Sequence, residues 1–455
     1  MENSKILLIC PHEDDEINIA GGVLASYKNK ENIFVLYTTN GDFLIDAKYR
    51  YKEAIKSLKQ MGIEKNNVYF LGYSDQPYDQ ESHMYNSNQD WTSLRRFKET
   101  YAPDDFEDWN YYKYGKHSKF NRNNFIRNIR EVIEYLKPDI IICNDLDFHP
   151  DHIMTSLCFE KAMGEILKEN ENYYPKVLKT FTYENSYLGE DDFFDYKNNY
   201  VKFKVDKNGR LVNNPYYKLK NGIEVPVSKE CYTYDLSKNV IWKAIKCHKS
   251  QILTSHATRI INKNYIYWER NTKNLLNKAK IDVSSGNKEY LTDFILCDTS
   301  NVLNGNKCDI QYDAGIWIPE NNDDKKEINI SFQKMMHVDL IKIYNGREKN
   351  ENIRKILITI NGTSKDATLK DKFINIIEVG QDVKTINIKV LDEKCYNGFS
   401  EIEVIEYKEE NNFEIFDKIH KDNGKDSKKI LKSIDKLIIK LNVFGDKVYR
   451  KIFIR

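Results

Sequence analysis

At 455 residues the chain is too long for one ordinary hydrophobic core, so two or three domains are expected. Its 70 basic and 69 acidic residues leave a net charge of +1, which excludes the global basic field of a nucleic-acid-binding protein. No stretch has the apolar length needed to span a bilayer, and the short apolar run at the N-terminus ends at once in charged residues, unlike a signal peptide.

Lys5 to Cys10 is short and continuously apolar, the pattern of a buried strand. Asp15 to Asn29 has helical spacing at Ile19, Val23 and Tyr27, and Gly21-Gly22 within it implies close packing against a sheet. Asn32 to Thr39 is a second strand, closed by the turn Asn40-Gly41-Asp42. A helix over Tyr49 to Met61 and a third strand over Asn67 to Tyr73 follow. Gln76 to Arg122 has no sustained period and is rich in Tyr, Trp, Asp and Asn. It either walls a substrate cleft or packs on itself as a surface excursion. Asn123 to Leu136 is a helix stopped by Pro138, and Asp139 to Cys143 is a fourth strand. A helix to about Lys168, strands at Lys176 to Tyr183, Val201 to Lys204 and Ile223 to Val227, and a helix from Asp235 to Ile252 complete this part.

Strands alternating with helices mean a parallel sheet with right-handed crossovers. The expected fold of residues 1–280 is therefore α/β, a Rossmann-like and mostly parallel sheet with flanking helices. The Gly-x-Gly-x-x-Gly fingerprint of dinucleotide binders is absent after the first strand, which counts against a nucleotide-sugar transferase. None of the eight cysteines forms a CxxC pair, and only Cys297 and Cys308 are spaced to suggest a disulfide. A reducing cytoplasm is the expected location, with the inner face of the membrane as an alternative.

Two clusters carry the chemistry, and each follows an apolar strand: Cys10-Pro11-His12-Glu13-Asp14-Asp15-Glu16 and His149-Pro150-Asp151-His152. Ligands of open α/β sheets bind beyond the carboxyl ends of the strands. A catalytic zinc takes three protein ligands and keeps one position open, and two imidazoles with one carboxylate also suit Fe(II). His12 and Asp15 can point at one ion, and His152 supplies the third ligand if strands one and four are neighbours. Asp14 is then left for acid/base work. His149 is placed to donate a proton or hydrogen bond to a carbonyl oxygen, and Asp151 to orient an imidazole.

PHEDDE followed by Gly21-Gly22, together with HPDH, resembles the PIG-L/LmbE family of metal-dependent de-N-acetylases. Asn40-Gly41-Asp42, Arg50 with Glu53, Leu71-Gly72-Tyr73 with Asp75, and His248-Lys249-Ser250-Gln251 add to the match over about residues 4 to 275. The resemblance implies a zinc hydrolase that removes acetyl from an N-acetylated amino sugar or glycolipid. Metal ligands fall on His12, Asp15 and His152, the general base on Asp14, and oxyanion support on His149 and Asp151. Arg50 and Asp75 fall near the substrate. His248 either lines the cleft or packs on its helix. Glu13 stands where the family usually has Pro.

From residue 285 to 409 the helical period gives way to short strands. They are expected at Tyr290 to Cys297, Gly315 to Ile318, Glu327 to Phe332, Val338 to Tyr344, Lys355 to Ile360, Phe373 to Glu378, Thr385 to Leu391 and Glu401 to Tyr407. Such a series builds a β-sandwich or jelly roll. The order INISF, VDLIKIYNG, IRKILITINGT, GFSEIEVIEY resembles the discoidin-type, galactose-binding-like sandwich, which implies a glycan-binding, structural or dimerising module. Residues 411–455 form a basic amphipathic helical tail, with Ile430, Ile434, Leu437, Ile438 and Leu441 as its apolar stripe. It either lies on an anionic membrane or docks on its own protein or a partner. A silent active site on a glycan-binding scaffold is the alternative to an enzyme, and retention of every metal and acid/base position speaks against it.

Overall fold

The computed structural model describes residues 4–76, 84, 88–145, 149–170, 172–182, 222–262, 264–296, 316–345, 353–370, 374–396, 398–407 and 433–454. The strand expected at Val201 to Lys204 and the pair Cys297 and Cys308 lie outside them.

The first domain is built from β1 (Ile6–Cys10), α1 (Asp15–Ser26), β2 (Ile33–Thr39), α2 (Ala47–Gln60), β3 (Val68–Tyr73), α3 (Trp109–Tyr114), α4 (Arg122–Leu136), β4 (Ile140–Asn144), α5 (Pro150–Glu169) and β5 (Lys176–Thr180). It continues with β6 (Ile223–Pro226), α6 (Lys229–Tyr232), α7 (Val240–Ile245), α8 (Ala257–Ile260) and β7 (Asn264–Arg270). The seven strands form one sheet in the order β3-β2-β1-β4-β5-β7-β6. The first five are mutually parallel, and β7 runs antiparallel to both its neighbours.

Helices cover both faces, so strand residues of either parity are buried. Ile6, Leu8 and Cys10 of β1 share a core with α1, α2 and α7, whereas Leu7 and Ile9 share another with α4 and α5. The strand order reverses between β1 and β4, whose registers pair Ile6 with Ile140 and Ile9 with Cys143. A crevice opens where neighbouring strands feed helices on opposite faces. Gly22 explains the glycine pair of α1. A Cβ there would lie 2.7 Å from the Tyr265 ring, whose hydroxyl accepts from Gly22 N at 3.0 Å.

One element goes beyond the sequence expectation, and one expectation needs correction. Asn264–Arg270 is a strand that shows no alternation, because five of its seven residues are buried. The helix expected from Asp235 to Ile252 is only Val240–Ile245; Asn239 caps its start, and the chain turns away after it to bring His248 against α1.

The second domain comprises β8 (Ala279–Val283), β9 (Glu327–Asn345), β10 (Lys355–Ile360), β11 (Thr363–Thr368), β12 (Ile374–Val390) and β13 (Phe399–Ile405), all antiparallel. Four expected strands are halves of two long ones. Glu327 to Phe332 and Val338 to Tyr344 are both β9, and Phe373 to Glu378 and Thr385 to Leu391 both belong with β12. Register shifts between Glu378 and Gln381 and between Val383 and Thr385 bend the pair instead of a turn. The first half of β9 pairs with β8 and the second half of β12, while the second half of β9 pairs with β13 and the first half of β12. The bent sheet thus folds over on itself, and Ile328, Ile330, Ile341, Ile343, Ile388 and Val404 share one core between its layers, a β-sandwich.

Ala279–Val283 begins before the expected end of the first domain at residue 280, yet it joins this sheet at its edge. The described part of the strand expected at Tyr290 to Cys297, residues 290–296, is not a strand: Lys288–Leu291 is a 3-10 turn, and Phe294 has φ +71°. Trp317 makes a single bridge to Phe399. β11 is a polar, exposed edge strand without apolar alternation, reached through the hairpin turn Asn361-Gly362, both at positive φ.

The tail contributes α9 (Ser433–Phe453), which packs on the first domain. No described helix is long and apolar enough to cross a membrane.

Candidate active site

Two turns meet at the carboxyl ends of β1 and β4. Past Cys10 the chain carries His12 into the turn that starts α1, with Asp14 at the N-cap and Asp15 and Glu16 in the first turn, where the helix end favours negative charge. Past Asn144, His149 is the N-cap of α5, with Pro150 at the first helical position. The His149 Nδ1 accepts from Asp151 N at 3.3 Å, and Asn144 Nδ2 donates to the His152 carbonyl at 2.8 Å. Because β1 and β4 are adjacent, both helices start side by side.

Three donor atoms converge there. His12 Nδ1 lies 3.3 Å from Asp15 Oδ2, His152 Nε2 lies 3.2 Å from the same oxygen, and the two nitrogens are 3.2 Å apart. Atoms bound about 2.0–2.1 Å from one tetrahedral ion sit roughly 3.3 Å from one another. The triangle therefore fits a zinc-sized ion, and two imidazoles with one carboxylate fit Fe(II) equally well. The second ring nitrogen of His12 supports this assignment. Its Nε2 is 3.1 Å from Asp151 Oδ2, so the proton belongs on Nε2 and the lone pair on Nδ1 faces the triangle. Gln76 N holds the other Asp151 oxygen at 2.9 Å.

Wider groupings join His12 and His152 to His149, or His12 to Asp75 and Asp151, with ligand atoms within 4.8 Å of one another. In the first, Nδ1 of His149 is already an acceptor for Asp151 N. In the second, Asp151 is committed to His12 and Gln76. The tighter triangle is the better cage.

Asp14 stands beside it. Arg50 Nη2 donates to Asp14 Oδ1 at 2.9 Å, which leaves Oδ2 without a partner among the described residues. The Asp14 side chain is 13% exposed, against 1% for Asp15 and none for His152, so it is the carboxylate that reaches the cleft.

Residues 7–163 match the PIG-L family, GlcNAc-PI de-N-acetylase. The match takes in both clusters and ends within α5. No curated protein matches the chain. Among solved structures, a CpGH89CBM32-6 module produced by Clostridium perfringens is 17% identical, covering 30% of this chain and 100% of its own, at a TM-score of 0.22. The family 32 CBM from C. perfringens NanJ, in complex with galactose, is 14% identical over 28% of this chain and 94% of its own, at 0.22. A Streptococcus pneumoniae fucose binding module, SpX-3, is 12% identical over 30% and 99%, at 0.23.

Within the PIG-L match, Glu13 is the position that departs from the usual motif. Its side chain is fully buried, 3.6 Å from Arg50 Nε, and both its oxygens lack hydrogen-bond partners. Burial pushes its pKa well up, with Arg50 only partly opposing. Gly41, at φ +58°, permits this arrangement, because a Cβ there would lie 2.6 Å from both Arg50 Nε and Glu13 Oε2. Arg50 stays charged: burial opposes its charge, but Asp14 and Glu13 outweigh it.

Asp75 closes β3 at the rim. Its Oδ2 accepts from Phe43 N at 3.1 Å, and burial together with nearby Asp151 raises its pKa. Asp42 is raised to about 6 by burial and by Asp75. Tyr101, from the aromatic insertion, donates to Asp42 Oδ2 at 2.7 Å, so that insertion reaches the rim. His149 is held neutral by burial and by His12 and His152.

His248 is not brought to the cleft. It is fully buried behind α1, with Nε2 2.8 Å from Glu16 Oε1, and Ser57 Oγ donates to the same oxygen at 2.7 Å. Ser250 Oγ donates to Glu53 at 2.6 Å. The His248-Lys249-Ser250-Gln251 segment therefore locks α1 to α2 and supports the site from behind. Glu16, Glu13 and Gln76 are contributors that the motifs alone do not assign; a carboxylate inside an apolar helix stripe, as at Glu16, is the one signal that points to a buried partner.

Proposed function

We propose that the chain is a metal-dependent hydrolase that removes the acetyl group from an N-acetylated amino sugar. The observation that carries this reading is the His12–Asp15–His152 triangle with Asp14 beside it on Arg50. A bound Zn2+ or Fe2+ would supply Lewis acidity toward a carbonyl oxygen and lower the pKa of a coordinated water. The chain's own residues do the rest. Asp14 accepts a proton at Oδ2 from the attacking water, while Arg50 holds its other oxygen in place. His149 carries its proton on Nε2, because Nδ1 is an acceptor, and so presents a neutral donor to the oxyanion that forms at the acetamide carbon. Asp14 then returns its proton to the leaving amine.

The test is acetate release from a panel of N-acetylhexosamine compounds, with metal content measured in parallel. Asp14→Asn should keep the ion and lose at least about 10²-fold in turnover. Wild-type turnover in that variant removes Asp14 as the base, and no acetate release from any compound by the wild type removes the activity. For the β-sandwich we propose glycan attachment, on its resemblance to the discoidin pattern. Binding of the full-length Asp14→Asn protein to immobilised glycans tests it, and absence of binding refutes it.

A further inference from the structure

A helix that completes a soluble domain buries its apolar stripe and shows its charges. α9 does the reverse. Asp446 Oδ2 accepts from Thr254 Oγ1 at 2.6 Å, Ile439 packs against the first-domain core, and the Phe453 carbonyl accepts from Tyr49 Oη at 3.2 Å. At about 100° per residue, Asp435, Ile439 and Asp446 fall within roughly 40° of one another, and this is the docked face. Leu437, Leu441, Phe444, Val448 and Ile452 recur at i, i+4, i+7, i+11 and i+15 on the opposite side, with exposures from 39% to 68%. A stripe of this length is a contiguous apolar patch rather than scattered surface residues.

The charges are sorted in the same way. Asp435 and Asp446, the two acids of the helix, are both buried, whereas Lys436, Lys440, Lys447 and Lys451 are exposed. On the same projection they line one border of the stripe, so every exposed charge of α9 is positive in a chain whose net charge is only +1. The helix end is tied to the site through its neighbours. Tyr49, which holds Phe453, precedes Arg50, and the loop before α2 exposes Phe43 and Leu44 while Phe43 N donates to Asp75.

We infer that α9 is an interfacial anchor that lies on an anionic lipid surface, with its apolar stripe in the headgroup–acyl boundary and its lysines against the lipid phosphates. An amphipathic helix with a basic polar border has the chemistry for that surface, and the charges of α9 keep it from crossing the bilayer.

The test is co-sedimentation of the full-length protein with phosphatidylcholine vesicles, with and without phosphatidylglycerol. Binding should need phosphatidylglycerol and fall at least tenfold as salt is raised. Leu441→Asp combined with Phe444→Asp should abolish it, and Lys440→Glu combined with Lys447→Glu should abolish the preference for anionic vesicles. Both variants should keep the wild-type circular dichroism spectrum. They should also keep acetate release from a soluble substrate, which separates this inference from the proposed activity. No pelleting with anionic vesicles overturns it, as does pelleting that neither variant changes. A wild-type dimer that becomes monomeric in the Leu441→Asp variant, without vesicle binding, also overturns it and assigns the stripe to a second copy of the chain.

Discussion

Arg50→Met tests how the site holds Asp14, its proposed base. The guanidinium is 6% exposed and spans two carboxylates, donating to Asp14 at 2.9 Å and lying 3.6 Å from Glu13. Methionine keeps most of the volume and removes the charge. Glu13, already pushed toward neutrality by burial, takes up a proton, but Asp14 loses a charged hydrogen bond worth about 1.5–3 kcal/mol. Breaking a buried pair by removing one partner costs about 3–5 kcal/mol altogether. At about 2–4 °C per kcal/mol for a domain of this size, the melting temperature should fall by roughly 6–20 °C. Turnover should fall by about 10²-fold as Asp14 drifts from its position. Arg50→Lys should recover part of the stability and little of the activity, because an ammonium cannot serve both acids from one planar fork. Calorimetry and acetate release read the two effects. A Met variant that melts within a degree or two of wild type and turns over normally refutes the reasoning.

Asp151→Asn should weaken metal binding by about 10–100-fold, because the His12 Nε2 proton loses its carboxylate acceptor; unchanged affinity in a metal titration contradicts that role. Asp293, buried where the two domains meet, has its pKa raised to about 7 by burial. A raised carboxylate pKa gives stability that is present below the unfolded value near 4 and lost as pH rises through 7, a loss of the order of a few kcal/mol. Asp293→Asn should therefore gain in melting temperature relative to wild type between pH 5.5 and 8, and a difference that stays constant across that range counts against this account.

The candidate cluster was legible because its residues are nearly contiguous at two strand ends, so that strand adjacency alone assembles them. The α/β alternation was legible for the same local reason: each strand is a continuous apolar run bounded by a turn. What was not legible depends on distant partners. Nothing local shows that Glu13 meets Arg50, that Glu16 receives His248, or that Lys179 and Arg270 are fully buried on Glu160 at 3.0 and 2.7 Å. β7 was hidden because burial on both faces erased its alternation, and β11 because an exposed edge needs no apolar residues. The long strands β9 and β12 look like two pairs of short strands in the sequence, because a bulge interrupts the pattern of alternation much as a turn does.

Metal dependence tests the proposed site most directly. Purified wild-type protein should carry one ion per chain, lose acetate release after dialysis against a chelator, and recover it on addition of one equivalent of Zn2+ or Fe2+. His152→Ala should bind no ion and show no recovery. Full acetate release by the metal-free protein, or a normal ion content in His152→Ala, would contradict the assignment of His12, Asp15 and His152.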